Sequence, residues 1–256
     1  MPTNPMQGNR PLRCCQNPGS TQIWATLVTS LCIIPARGGS KRIPGKNLRE
    51  FRGLPMVCWS IRAAQASGCF SEVLVSTDDD AIAALAQAQG ASVPFRRSAQ
   101  AASDHATTAA VLLETLDRLG AAGKSFPAVC CLYATAPFTT AQDLRAGLEK
   151  LETGGFDVVL PVARFDYPIW RSLKMGADGR VLMNWPEHRD TRSQDLPPAY
   201  HDAGQWCWFR PAALYRDGSL LGPNTGSVVL PAERVQDIDT EDDWRSAEWK
   251  HERIFG

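Results

Sequence analysis

A chain of 256 residues with 44% hydrophobic content has ample apolar surface for a large buried core. Its 27 lysines and arginines balance 27 aspartates and glutamates, so no global field draws it to nucleic acid or an anionic membrane, and no run is long and apolar enough to span a bilayer. The eight cysteines, at 14, 15, 32, 58, 69, 130, 131 and 207, show no C-x-x-C spacing; they read as buried reduced thiols of a cytoplasmic protein.

Residues 1–28, rich in Pro, Asn, Gln and Gly, are expected to be a disordered extension or the result of a start placed too far upstream, with one domain over 29–256. Arg10 and Arg13 before the apolar-leaning Ile23 to Ile34 imitate a signal peptide. Cleavage there, however, would sever a strand from the loop it feeds. Leu31 to Ala36 reads as the first strand. Pro55, in a first helical turn, opens a helix through Ser67 that Gly68 closes. A strand at Glu72 to Thr77 follows, then Asp78 as cap of a helix over Ala81 to Gln89, and a short strand at Ser92 to Phe95. Val111, Leu112, Thr115, Leu116 and Leu119 have helical spacing within Thr107 to Leu119. Ala128 to Tyr133 is a continuous apolar run, hence a strand buried on both faces. A helix begins at Thr140 and a strand runs from Asp157 to Val162.

This rhythm specifies an α/β fold with a doubly wound, mainly parallel sheet and ligands at the strand carboxyl ends. It fails over about 163–200, where prolines, tryptophans and arginines punctuate short segments; an inserted lid or dimerisation lobe is expected there. The sheet resumes at Trp206 to Phe209 and Val228 to Leu230, and Thr240-Glu-Asp-Asp243 starts the last helix with a capping box.

The most informative stretch is Ile33 to Asn47, where an apolar strand feeds a loop holding Gly38, Gly39, Ser40 and the cations Arg37, Lys41, Arg42 and Lys46. Adjacent glycines let backbone N–H groups approach an anion closely, and the cations supply the matching charge. A nucleoside triphosphate or sugar phosphate is the implied ligand, against the plainer reading of a solvated basic turn. It is not a Walker A loop, because five residues separate Gly39 from Gly45-Lys46 and Asn47 follows. Nor is it a dinucleotide fingerprint, which needs G-x-G-x-x-G opening a helix.

Asp237 and Asp239, at i and i+2 before the last helix, would share one face of an extended segment. Paired carboxylate oxygens beside a triphosphate loop suit Mg²⁺; the alternative is a solvated Asp237 and an Asp239 that merely precedes a cap. In Thr191 to Gly204, Arg192 offers a planar fork for a carboxylate, and Tyr200, His201 and Asp202 offer hydroxyl recognition, although a surface loop could hold the same residues.

The segments Pro35 to Asn47, Val75-Ser-Thr-Asp78, Ala134-Thr-Ala-Pro137, Arg192-Ser-Gln-Asp-Leu-Pro197 and Asp237-Ile-Asp-Thr240 together resemble the CMP-sialic acid synthetase (acylneuraminate cytidylyltransferase) family from about residue 31 onward. Tyr133 to Phe138 and Arg192 to Trp206 are most similar to its members acting on pseudaminate. The resemblance implies CTP as donor, an acidic nine-carbon sugar as acceptor, Mg²⁺ as cofactor, release of pyrophosphate, and a homodimer. It implies phosphate contacts at Arg37, Ser40 and Lys46, with Ala36, Gly38, Gly39 and Lys41 lining the same loop. It further implies a ribose contact at Asn47, a cytosine-contacting region at Arg97, Ala106 and Thr108, and a metal pair at Asp237 and Asp239. Arg37, Lys46 and Asp239 are the catalytic set. On the sugar side the chain departs from the sialate pattern. Tyr133 replaces a glutamine and Ser193 stands where an arginine meets the sugar carboxylate, so Arg192 is expected to take that role, with Gln194, Tyr200 and His201 nearby. Legionaminate, N-acetylneuraminate and ketodeoxyoctonate are the rival acceptors, and a non-catalytic nucleotide-binding module is the rival class.

Overall fold

Alternate residues of β1 (Leu31–Pro35) belong to different cores, as the period of two in a strand demands. Cys32 and Ile34 join one apolar cluster, Leu31 and Ile33 the other. The computed structural model describes residues 29–256, so the expected N-terminal extension lies outside the described residues. After β1 and its loop come a hairpin of β2 (Glu50–Phe51) and β3 (Leu54–Pro55), α1 (Met56–Ser67), β4 (Glu72–Ser76), α2 (Asp80–Ala88), α3 (Ala99–Ala102), α4 (Thr108–Ala121), β5 (Val129–Leu132), α5 (Ala141–Thr153) and β6 (Val158–Arg164). A second hairpin, β7 (Leu173–Met175) and β8 (Val181–Met183), precedes β9 (Tyr200–Asp202), β10 (Trp206–Phe209), α6 (Pro211–Asp217), β11 (Thr225–Val229) and α7 (Glu241–Phe255).

The main sheet runs β11-β6-β10-β5-β1-β4, with β9 pairing onto β6. β1 is parallel to β4 and β5, and β6 to β11, while β10 runs antiparallel between β5 and β6. The sheet is therefore mixed and mostly parallel. Helices cover both faces: α1, α2 and α5 pack with Val57, Ile61, Ala83, Leu144 and Leu151 on one side, α4 and α6 with Leu112, Leu116, Leu119 and Leu214 on the other. From β1 the chain moves to β4 on one side and then crosses to β5 on the other. The crevice above the carboxyl ends of β1 and β5 is thus the topological switch point, the usual ligand position in such sheets.

A third, smaller core positions the site. Ile43 from the loop after β1, Phe51, Met56, Phe138, Ile238, Trp244 and Ala247 are all buried together. Burying Ile43 and Ile238 contributes about 1.5–3 kcal/mol each and clamps the loop to the entry of α7.

Three sequence expectations are corrected. Asp79, not Asp78, caps α2, its carboxylate accepting the Ala81 and Ile82 N–H groups at 2.8 and 2.9 Å; Asp78 is left for the loop after β1. Ser92 makes only an isolated bridge to Leu74, and no strand forms over Ser92 to Phe95. Pro55 sits at the N-cap of α1 as the last residue of a hairpin whose turn residues, Arg52 and Gly53, have φ of 49° and 84°. Positive φ at two adjacent residues is the geometry of a tight hairpin turn, and the Arg-Gly pair was its only local signal. The strand at Trp206 to Phe209 is antiparallel, because it returns from β9 beside β6 without a crossover helix.

Between β6 and β9, residues 165–199 carry the β7–β8 hairpin and short 3₁₀ turns. Ala163 and Arg164 belong to β6 and Tyr200 to β9, which pair antiparallel.

Candidate active site

Ala36 leaves β1 buried, its N–H donating to the Ser76 carbonyl at 2.9 Å. The Gly38 N–H donates to Asp78 Oδ1 at 3.1 Å, so that amide is taken up by a carboxylate of the neighbouring strand end. A Cβ at Gly38 would lie 2.7 Å from Asp79 Oδ2, whereas one at Gly39 would meet nothing within 4 Å. Gly38 is therefore required by packing, and Gly39 faces open space. Asn47 is buried and donates from Nδ2 to the Arg37 carbonyl at 2.9 Å, bracing the loop from beneath. Gly45 turns the chain with φ +63°, and Lys46, whose side chain is 17% exposed, reaches the Ile238 carbonyl at 2.5 Å.

The loop's cations fall to two carboxylates from remote segments. Arg37 donates from Nη1 to Asp104 Oδ1 at 2.8 Å, and Lys41 pairs with the other oxygen of Asp104. Lys41 and Arg37 hold the Asp104 carboxyl below the usual range. Arg42 donates from Nη1 to Asp239 Oδ2 at 2.6 Å across 197 residues of sequence, and Lys46 Nζ lies 3.5 Å from Asp239 Oδ1. Asp237 is exposed, Ile238 buried and Asp239 half-buried, an alternation that leaves both carboxylates on the side away from the core. The Asp239 N–H and the Thr240 N–H and hydroxyl all donate to Asp243 Oδ2, so the capping box of α7 holds the segment in place. The metal-competent atoms offered here are the carboxylate oxygens of Asp237 and Asp239, the latter already facing Arg42 and Lys46. Among the described residues no group of three or more His, Cys, Asp or Glu side chains is suited to enclose a metal by protein alone.

Arg97 is buried, and its guanidinium donates to the Ser76 carbonyl at 2.6 Å and to Ser76 Oγ at 3.3 Å. Burial lowers its pKa, while Asp78 and Glu114 favour the charge. From Arg97 the chain passes through α3 to Asp104 on the loop's cations, and on to Ala106 and Thr108. The expected base-contacting residues and the phosphate loop thus meet through Asp104.

Beside them is a cavity of 560 Å³ between α4, β5, β6, β9, β10 and the α6–β11 connection. Its walls are largely apolar, including Leu160, Val162, Trp206, Leu220 and Leu221, with Thr107, Thr108, Tyr133, Tyr200, His201 and Asp202 as polar points. Burial pushes the Tyr133 phenol up, and Thr108 offsets that in part. His201 Nδ1 lies 2.9 Å from the Asp202 carbonyl. Gln205 is buried, donates to the Arg234 carbonyl at 2.6 Å and accepts from Thr139 at 3.1 Å.

The structure thus brings together the loop residues, Asp239, Thr108, Tyr133, Tyr200 and His201 at one end of the sheet. It does not bring Arg192 or Gln194 into the cavity wall: Arg192 is 72% exposed and donates from Nε to Asp195 Oδ2 at 2.7 Å, an i,i+3 pair within a 3₁₀ turn, and Gln194 lies exposed in that turn. Sequence reading missed Asp104, the contact of Asp78 with the Gly38 amide, and the apolar wall at Leu220 and Leu221. Ser-Asp before a helix looks like an ordinary cap, and only the pairing with Arg37 and Lys41, 67 and 63 residues away, distinguishes it.

Comparison with known proteins fits this geometry. A family model described as "Cytidylyltransferase" matches residues 31–193. The pseudaminic acid cytidylyltransferase of Campylobacter jejuni is 39% identical over 84% of this chain and 92% of its own length. N-acylneuraminate cytidylyltransferase A of Danio rerio is 32% identical over 84% of this chain and 49% of its own. A solved structure of CMP:2-keto-3-deoxy-manno-octonic acid synthetase complexed with CTP superposes with a TM-score of 0.63 over 88% of this chain and 99% of that one, at 18% identity, which speaks to the fold. With a family model across most of the described sheet and a relative this similar over nearly its whole length, the chain belongs to the cytidylyltransferase family.

Proposed function

We propose that this nucleotidyltransferase joins CMP from CTP to pseudaminate, releasing pyrophosphate. The observation that carries the reading is the convergence of a four-cation loop and Asp239 at the sheet's switch point, held by the Arg42–Asp239 contact of 2.6 Å. The 39% identical relative is named for this reaction. The largely apolar cavity supports an acceptor that carries acylamido and methyl groups. Ketodeoxyoctonate, which carries hydroxyls and no acylamido group, would leave Leu160, Val162, Leu220 and Leu221 against polar groups.

In the reaction the acceptor's anomeric hydroxyl oxygen bonds to the α-phosphorus as the bond from that phosphorus to the bridging oxygen breaks, and pyrophosphate departs with the electron pair. Arg37, Lys41, Arg42 and Lys46 bind the phosphates and stabilise charge on the departing oxygens. Each cation has donors beyond the one its carboxylate uses, so binding requires an exchange of partners and no refolding of the loop. Asp237 and Asp239 are the residues that would hold Mg²⁺, an ion that takes one or two carboxylates and bridges to substrate phosphates. When bound, the ion supplies charge stabilisation to the phosphoryl oxygens. Asp239, on the loop's cations, is the candidate to receive the hydroxyl proton.

Pyrophosphate release from CTP and Mg²⁺ with each of the four acids tests the reading. Pseudaminate should lead, and Asp239→Asn should reduce turnover by at least roughly a hundredfold with melting little changed. No release with any acid, or a fully active Asp239→Asn, would sink it. A homodimer through residues 165–199 also belongs to this reading, because Tyr167, Leu173, Met175 and Leu182 stand exposed there; the mass in solution tests it. Cytidine triphosphate as donor and buried unpaired thiols suit a cytoplasmic enzyme, and among the described residues no helix is long and apolar enough to cross a membrane.

A further inference from the structure

An acceptor carboxylate that enters a largely apolar cavity loses water and needs a cation in exchange. The cavity wall contains His201 and the acid Asp202 but neither lysine nor arginine. Arg192 is already paired with Asp195 and stands outside that wall. The residue that completes the site must therefore come from its rim.

We propose that Arg164 is the guanidinium that receives the acceptor's carboxylate, a role that rests on reading the cavity as the acceptor site. Side chains of one parity share a face of a strand. Leu160 and Val162 of β6 line the cavity, and Arg164 is the next residue on that face. Across the ladder Val162 faces Asp202 and Arg164 faces Tyr200, and both of those partners line the cavity too. Arg164 thus stands at the mouth of the same row. Among the described residues its guanidinium makes neither a hydrogen bond nor an ion pair. It also edges a second hollow of 370 Å³ that shares His201 and includes Asp166 and Lys250. Lys250 is held by the Val235 carbonyl at 3.1 Å and Gln236 Oε1 at 2.9 Å, which leaves Arg164 as that hollow's uncommitted cation.

The height of Arg164 is also right. Leu31, Val129, Phe209 and Val158 form one row across β1, β5, β10 and β6. Arg164 ends β6 and Arg37 follows the end of β1, so both stand at the carboxyl edge of the sheet, with β5 and β10 between their strands. In a 2-keto acid the carboxylate is attached to the anomeric carbon whose hydroxyl attacks phosphorus. An acceptor lying between the two arginines can therefore offer its hydroxyl towards the loop and its carboxylate towards β6. The planar fork suits a bidentate contact that lysine would not reproduce. Asp202, whose Oδ1 accepts the Gly204 N–H at 2.8 Å, is two pairs further inward on the same face and suits a sugar hydroxyl.

The test is steady-state kinetics on the full chain with CTP, Mg²⁺ and pseudaminate or its methyl ester. Arg164→Ala should raise the acceptor KM about 10- to 100-fold, the range of lost charge-assisted hydrogen bonds, with the KM for CTP near wild type. Arg164→Lys should recover only part of that loss. Wild type should prefer the acid strongly to the ester, and Arg164→Ala should not. An unchanged acceptor KM or an intact acid preference in Arg164→Ala overturns the assignment, as does a loss carried by Arg192→Ala in its place. A wild type that releases no pyrophosphate with any acid overturns the cytidylyl-transfer reading and this role with it. Turnover with an indifferent Arg164 overturns this role alone.

Discussion

The two adjacent glycines of the loop should respond oppositely to the same added methyl group. At Gly38 a Cβ would sit 2.7 Å from Oδ2 and 2.9 Å from Cβ of Asp79, the residue that caps α2. Such distances are well inside van der Waals contact, so Gly38→Ala must turn the Asp79 carboxylate or lift the loop from Asp78. Losing a cap of this kind costs about 1 kcal/mol, range 0.5–2. In a domain of this size each kcal/mol corresponds to about 2–4 °C in Tm. Gly39→Ala meets nothing within 4 Å, and its backbone has no left-handed angle to strain, so its melting should match wild type. Its methyl, however, would stand on the loop's open face, where the proposed function puts phosphates, and CTP affinity should fall about 10- to 100-fold if one charge-assisted N–H contact is blocked. Thermal scans and calorimetric CTP titrations on both variants give the comparison. Unchanged melting of Gly38→Ala would refute the packing argument, and unchanged CTP affinity of Gly39→Ala would refute the assignment of this loop to the triphosphate.

Asp104→Asn removes the carboxylate paired with Arg37 and Lys41, which on the proposed function competes with phosphate for them. The KM for CTP should fall at low ionic strength and converge on wild type as salt screens the exposed cations, so KM measured across a salt series checks it; a rise at low salt would mean that Asp104 instead holds the cations in their binding geometry. His251 is buried among Phe51, Trp59, Phe138 and Phe255 with Nε2 unpartnered, and burial, aided by Arg52, lowers its pKa. The unfolded chain then binds the proton first as pH falls through about 6.5, so this contribution to stability is complete above that pH and is lost below it, down towards the folded pKa. Tm should decline from neutral to mildly acidic pH, and His251→Phe should flatten that decline; an identical slope in the variant would exclude His251 as its source.

Local sequence sufficed for features whose causes are local. The apolar run Leu31 to Ile34, the helical spacing of Val111 to Leu119, Gly68 in the left-handed conformation that ends α1, and the Thr-x-x-Asp capping boxes at Thr140 and Thr240 all lie within a few residues of their effect. The charge density of the loop likewise raises the expectation of an anion without any fold. What the loop's cations touch depended on tertiary structure. Ile43 and Ile238 are buried together because both are apolar, and that burial carries Asp239 to Arg42 and Lys46. Asp104 reaches Arg37 only because β4 and β5 flank β1 and the chain between them must cross above its carboxyl end. Asp78 and Asp79 are chemically equivalent in sequence, and the strand-to-helix turn alone decides which one caps α2 and which one takes the Gly38 amide. Arg192 and Arg164 differ in the same way. Each is a guanidinium in a chain rich in them, but one closes on a local aspartate while pairing of β6 with β9 sets the other at the carboxyl edge beside Tyr200, since strand register places side chains that no sequence spacing connects.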